Sequence, residues 1–339
     1  MTRDAQITAF LDAAGRGDAT QVKLPGDASL RRYSRLCQGT TTAMLMDAPP
    51  ATGEDTGPFI AIARHLVAHG FSAPRILAED RATGLLLIED FGDGLVARLA
   101  DRNSTTEIAL YRAAGTTLGA LQSLPLPQNL PDYVPQMANL AALSLDWYAP
   151  ECADLRGDLV AAIEDLLPLA LRKTAVFVHR DFHGENLIWL PERTETKQIG
   201  LLDFQDAMSG PAEYDIGSLI HDPRRTVSDG AKAAAWQAYL DRAGHCETDA
   251  RLGLAICSAQ RSLRILGVFA RLCMRDGKAH YPDFIPRTWQ ALQRDLSHPA
   301  LARLAGVLTT LPAPTDDRLA AIKSQAGQLR GHSQARVWA

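Results

Sequence analysis

The sequence predicts an α+β chain in which strands gather in the first 90 residues and helices take over from about Thr105. Three observations carry this expectation. Short β-branched and apolar runs at residues 31–36, 41–46, 73–77 and 85–88 are separated by turn residues, the pattern of strands. Apolar residues then recur at helical spacing over long stretches after Thr105. Within the second regime, three more apolar runs at 174–178, 187–190 and 199–202 each deliver a polar residue at one end.

The elements follow in order. Residues 7–14 read as a short helix, and 22–24 begin a sheet. Residues 25–29 form a turn, ahead of the strand-like runs 31–36 and 41–46. Residues 58–69 make an amphipathic helix with Phe59, Ile62, Ala63, Leu66 and Val67 on one face. After the strands near 73–77 and 85–88, residues 89–94 turn abruptly polar and glycine-rich, which reads as a hinge. Ser104-Thr105-Thr106-Glu107 has capping-box spacing, so a helix is expected to start there. Its expected buried face is Ala109, Leu110, Ala113 and Leu121, and Pro125, Pro127 and Pro131 end it after Leu124. Helices at 231–242, 252–275 and 286–296 complete the second part, with one more helix and a loose tail after Pro312.

The chemistry concentrates in Val178-His179-Arg180-Asp181-Phe182-His183-Gly184-Glu185-Asn186 and in Leu202-Asp203-Phe204-Gln205. A base, then one metal ligand, then a second appear in the order that phosphoryl transfer uses. That reaction needs an oriented nucleophile, a cradle for a triphosphate and cations on the phosphoryl oxygens. Asp181 would accept the proton of an acceptor hydroxyl, since an ionised carboxylate is acceptor-only. The Asn186 amide oxygen and the Asp203 carboxylate are hard oxygen donors suited to Mg²⁺. His179 is expected to brace the loop, and Asp215 to cap the next helix or accept bonds from the loop. His179 and His183 are four apart, but the preceding run is strand-like and the acid between them is Asp181, so a zinc-protease pair is not expected.

The catalytic block and the Asp203 block resemble those of the aminoglycoside phosphotransferase family, a branch of the protein-kinase-like fold. Wider phrases at residues 26–33, 46–50, 202–207 and 266–272 resemble one subgroup, the anomeric kinases of bacterial cell-wall recycling. Those enzymes phosphorylate N-acetylmuramate and N-acetylglucosamine at the 1-hydroxyl with ATP. The resemblance spans about residues 5–310. It implies a bilobal fold: a β-rich, nucleotide-binding N-lobe (1–90), a larger helical C-lobe (91–339) with the catalytic loop and acceptor site, and ATP between them. In that frame Asp27, Ala28 and Ser29 would form the phosphate loop, its small residues letting backbone N–H groups approach. Glu89 and Phe91 would lie at the hinge, where backbone groups could bond an adenine.

The chain also departs from kinase pattern. The third strand, Thr42-Ala43-Met44-Leu45-Met46-Asp47, has no lysine, and the helix at 58–69 has no glutamate. Arg31 or Arg32 is the expected substitute, because a guanidinium grips phosphate by two bonds. Gln205 replaces the glycine of the usual D-F-G. For the acceptor, the subgroup phrases point to Asp206, Arg271 and Arg275, and a carboxylate on the sugar would suit an arginine.

Composition sets the remaining bounds. A net charge of −4 argues against a nucleic-acid partner. Five scattered cysteines without a C-x-x-C pair fit buried thiols in a reducing cytoplasm. The N-terminus shows no apolar signal core, and no run approaches a membrane span. The expectation is a cytoplasmic, ATP- and Mg²⁺-dependent small-molecule kinase, a monomer or weak oligomer. Two alternatives stay open: a kinase of an aminoglycoside, choline or other amino alcohol, and a pseudokinase or nucleotide-binding module.

Overall fold

The computed structural model describes residues 1–25, 31–171 and 174–331. The turn residues Asp27, Ala28 and Ser29 lie outside them. The chain opens with α1 (Arg3–Ala13), β1 (Thr20–Lys23), β2 (Arg32–Gln38) and β3 (Thr41–Asp47). It continues through α2 (Gly57–Ala68), β4 (Ile76–Asp80), β5 (Leu85–Glu89) and α3 (Val96–Ala100). Helices α4 (Ser104–Leu121), α5 (Val134–Ala141) and α6 (Arg156–Leu171) precede the short strands β6 (Val176–Val178), β7 (Leu187–Trp189), β8 (Ile199–Leu201) and β9 (Met208–Gly210). Then follow α7 (Tyr214–Ile220), α8 (Asp229–Ala243), α9 (Glu247–Met274), α10 (Ile285–Leu296), α11 (Ala302–Val307) and α12 (Asp316–Ser324).

These elements form two compact units. The first comprises Met1–Arg102 and Gly184–Ala207, the second Asn103–His183 and Met208–Ala339. In the first unit an antiparallel sheet runs β1-β2-β3-β5-β4, with the β2–β3 hairpin turning at Gly39, whose φ of +60° suits glycine. Its core joins Leu36, Ala43, Leu45, Leu85 and Leu87 to Phe10 and Leu11 of α1. The β7–β8 hairpin belongs to the same unit and is joined to it where Leu201 N–H donates to Ser72 O at 2.7 Å.

The second unit is built around α9. This 28-residue helix buries residues on nearly every side against other parts of the unit. It is the one helix among the described residues that is long and apolar enough for a membrane span, but 78% of that window is buried in protein. Its buried arginines Arg261, Arg264 and Arg271 suit a core helix that also serves a polar site. A buried polar chain ties it to its neighbours: His221 Nδ1 lies 2.9 Å from Ser258 Oγ on α9, and the Ser258 hydroxyl also bonds Asp295 on α10.

Two expectations for α4 are corrected. The cap is Asn103, whose side chain accepts from Thr106 N–H at 2.8 Å, and Ser104 is already helical. Glu107 does not close a capping box because its carboxylate takes Arg225 Nη1 at 2.8 Å. Ala109 is exposed and Ala113 half-buried; the buried stripe is Leu110, Ala114, Leu118 and Leu121. Close approach of α8 sets that face. A Cβ on Gly115 would lie 2.2 Å from Ala235 O, and one on Gly119 would lie 2.8 Å from Tyr239 O. The cysteine expectation is also corrected in part, since Cys37 is half-buried and Cys246 exposed.

Two outcomes follow. Gly115→Ala should destabilise the protein by about 3 kcal/mol, read as a fall in the denaturant midpoint, because helix backbone rather than a side chain must give way. Burial raises Asp295 to about 6, against the opposing effects of Arg294 and Ser258. A raised folded pKa means that the native state binds the extra proton, so stability is lost as pH rises from about 4 to about 6. Asp295→Asn should remove that slope: its Tm relative to wild type should climb over this window and level off above it.

Candidate active site

In the second unit, β6 leads into a loop held by one carboxylate. Asp215, on the first turn of α7, accepts His179 N–H at 2.6 Å and Arg180 N–H at 2.9 Å. Those bonds fix Arg180 at φ +75°, a left-handed conformation that a non-glycine residue holds only against about 1–2 kcal/mol of strain. Its guanidinium then lies over the Tyr133 ring, 4.8 Å from the centroid. His179 is fully buried, its ring edge-on to Phe182. The loop thereby presents Asp181, which is partly exposed. Burial raises Asp215 to about 7, against its two backbone bonds and with the Asp181 charge adding to the rise.

Asp181 goes the other way. Burial opposes its ionisation, but Arg264, His183, Arg261 and Arg180 outweigh that and hold it down to about 2. Arg261 and Arg264 are one turn apart on α9, which puts both on the face that meets this loop. Arg264 Nη1 donates to Tyr214 Oη at 3.0 Å, and Tyr214 Oη lies 3.1 Å from Tyr133 Oη. Arg261 is 4% exposed, and its Nε has no hydrogen-bond partner among the described residues. Burial pushes His183 down to about 4, with Arg224 next in effect, so it is neutral near pH 7. Asp222, just past α7, accepts Arg224 N–H at 2.9 Å. The surroundings of Asp181 therefore carry more guanidinium than carboxylate charge.

The first unit holds the oxygen donors. Asn186 precedes β7 and Asp203 follows β8, and Leu202 N–H donates to Asn186 O at 3.0 Å. Asp203 is exposed at φ +58°, a second strained residue, and accepts from Gln205 Nε2 at 2.7 Å. Next to it, Phe204 is fully buried and stacks on Phe59 of α2 at 4.8 Å, which anchors the turn. Asn186 and Asp203 thus sit at neighbouring strand ends, and an amide oxygen and a carboxylate are both hard donors of the type Mg²⁺ accepts.

Arg31 donates through Nε to Glu54 Oε2 at 2.7 Å, with both side chains largely buried. It is also charge-coupled to Tyr33 and to Asp206. Burial pushes Tyr33 up to about 12; Arg31 opposes that rise and the Asp203 charge adds to it. Arg31, Tyr33, Asp203 and Asp206 thus share one electrostatic neighbourhood. Arg32 is exposed on β2. Glu89 ends β5 and binds Arg193 at 2.7 Å and Arg75 at 3.1 Å, while Phe91 packs under Arg193. Of the acceptor candidates, Asp206 lies in the first unit. Arg275 is bound by both oxygens of Asp276, at 2.7 and 2.9 Å. Arg271 is buried, brought down to about 10 by burial and then by Arg275.

Sequence reading did not reach Glu54, Tyr33, Asp222, Arg224, Arg261 or Arg264, nor any role for His183 beside Asp181. The signal it could have used is the pair of charges three apart inside an otherwise apolar stretch of α9.

Residues 20–252 match the phosphotransferase enzyme family. The chain is 38% identical to the N-acetylmuramate/N-acetylglucosamine kinase of Caulobacter vibrioides, covering 89% of this chain and 94% of that one. It is 32% identical to the enzyme of the same name from Pseudomonas aeruginosa, covering 91% and 94%. A choline/ethanolamine kinase family protein from Mesorhizobium loti has the same fold, with a TM-score of 0.63 at 16% identity over 95% of this chain and 100% of that one. These matches lead to one conclusion: the chain belongs to the phosphotransferase enzyme family and is a kinase.

Proposed function

We propose that this kinase transfers the γ-phosphoryl group of ATP, with Mg²⁺, to the anomeric hydroxyl of N-acetylmuramate or N-acetylglucosamine. The observation that carries the reading is the arginine-rich surrounding of Asp181. It suits a neutral or anionic acceptor and disfavours a polycationic aminoglycoside or a quaternary amine. The names of the two sequence relatives support the same acceptors.

The sugar hydroxyl would donate its hydrogen bond to Asp181, leaving an oxygen lone pair aimed at the γ-phosphorus. A bond forms from that oxygen to phosphorus, and the bond from the β–γ bridging oxygen breaks, releasing ADP. The hydroxyl proton passes to Asp181 and then to solvent. A carboxylate held near 2 is a weak base. That fits a loose transition state, in which the nucleophile keeps its proton until late and orientation counts for more than basicity. Asn186 and Asp203 would hold Mg²⁺, whose charge offsets that of the phosphoryl oxygens. Arg31, braced by Glu54, would take the triphosphate contact that a strand lysine makes in other kinases. His179 and Asp215 would act by holding the loop, not by touching substrate.

Three outcomes test this. Asp181→Asn should lower kcat for N-acetylmuramate and N-acetylglucosamine by about 10²–10⁴-fold while ATP still binds. Because the folded pKa is depressed, the wild-type base should stay ionised from about pH 4 upward, so an acidic limb in kcat/KM near pH 6–7 that tracks this residue would refute the assignment. Arg31→Ala and Glu54→Gln should each raise KM for ATP, the first by about tenfold or more and the second less, with little change in KM for the sugar. Unchanged ATP affinity in Arg31→Ala would remove this arginine from the phosphate site.

A further inference from the structure

Resting on the amino-sugar reading above, we infer that Arg224 is the residue that recognises the acceptor's carboxylate and so sets the preference between N-acetylmuramate and N-acetylglucosamine. These sugars differ by one group: the first carries a lactyl ether ending in a carboxylate, where the second has a hydroxyl. Discrimination therefore needs a cation that is near Asp181 and reachable by a ligand.

Four arginines surround this part of the second unit, and three are committed elsewhere or sealed in. Arg180 lies over Tyr133, Arg264 donates to Tyr214, and Arg261 is 4% exposed. The Arg224 side chain is 30% exposed, and its Nη1 lies a loose 3.8 Å from Asp222 Oδ1. A guanidinium in that state loses little by turning to a ligand carboxylate, and a bidentate pair with one is among the stronger polar contacts a protein makes. Its charge is felt at His183, two residues from the catalytic carboxylate, and at Arg261.

Asp222 supplies a second, independent pointer. Its side chain is fully buried, and its Oδ2 has no hydrogen-bond partner among the described residues. A buried carboxylate oxygen without a partner is costly. A sugar hydroxyl or acetamido N–H is the kind of donor that would satisfy it. Arg224 and Asp222 together offer one anion-binding and one donor-binding group on adjoining backbone, held by the Arg224 N–H bond to Asp222 Oδ1 at 2.9 Å. Arg271 and Arg275, which sequence phrases favoured, lack this arrangement. Arg275 is closed by Asp276, and Arg271 is buried about two turns further along α9 from Arg264.

The test measures kcat and KM for both sugars, and for the methyl ester of N-acetylmuramate, in wild type, Arg224→Ala and Arg224→Lys. Thermal unfolding confirms that each variant is folded. In Arg224→Ala the ratio of kcat/KM for N-acetylmuramate over N-acetylglucosamine should fall by about 30-fold or more, carried by KM. Arg224→Lys should recover part of that ratio. The wild type should handle the ester as poorly as Arg224→Ala handles the free acid. An unchanged ratio in Arg224→Ala, or a loss carried by kcat and equal for the two sugars, overturns the inference while leaving the amino-sugar reading intact. Turnover of neither sugar by the wild type overturns both.

Discussion

The buried carboxylate of Asp215 is the interaction on which the catalytic loop depends. By accepting two consecutive backbone N–H groups it forces the chain to turn at Arg180, against the preference of a non-glycine residue. That turn sends the Arg180 side chain to Tyr133 and presents Asp181. The cost is twofold: local backbone strain, and a second carboxylate close to the first. The protein resolves the second cost by dividing the environments. Arginines crowd Asp181 and keep it ionised, while burial favours the proton on Asp215. Two neighbouring acids with opposite shifts are a common sign of divided roles, one for chemistry and one for architecture.

Helix α9 is the other half of this arrangement. Its burial on most sides gives the second unit its core, and the same rigidity lets it carry Arg261 and Arg264 to the loop at fixed positions. Buried guanidinium groups lose hydration and recover it only through partners. Here the partners are the tyrosine pair Tyr133–Tyr214 and the charge of Asp181. The core and the loop are therefore one design: a change that loosens α9 against α7 and α10 would also move the charges that keep Asp181 ionised.

Local patterns made part of this legible in advance. The strands at 31–36, 41–46 and 85–88 and the amphipathic helix at 58–69 follow from neighbouring residues, whereas the strand expected at 73–77 begins only at Ile76. The start of α4 lies where the sequence places it, but the cap is Asn103 and no capping box closes, because a distant arginine holds Glu107. Its buried face was misread because the partner helix approaches through glycines, and nothing in a helix's own periodicity reports how close a neighbour comes. Arg224, Arg261 and Arg264 were invisible for the same reason. They sit some 40 to 80 residues further along the chain, and only packing of α7 and α9 brings them to the loop.

Under the proposed function, Arg31 takes the place of the strand lysine that β3 lacks. The usual function of that lysine requires a cation held rigidly by an anion. Arg31 and Glu54 meet that requirement from the loop before β2 and the loop before α2, with a 2.7 Å bond between largely buried groups. Arginine is bulkier than lysine and forks, so it needs neither the same strand nor the same helix to reach an equivalent place. It also cannot lose its proton, so the Asp206 carboxylate, which is charge-coupled to it, faces a permanent positive charge. The absence of a lysine from β3 is thus weak evidence for a decayed site. Decay removes a cation and leaves its partner stranded, whereas here both members of a new pair are present and bonded.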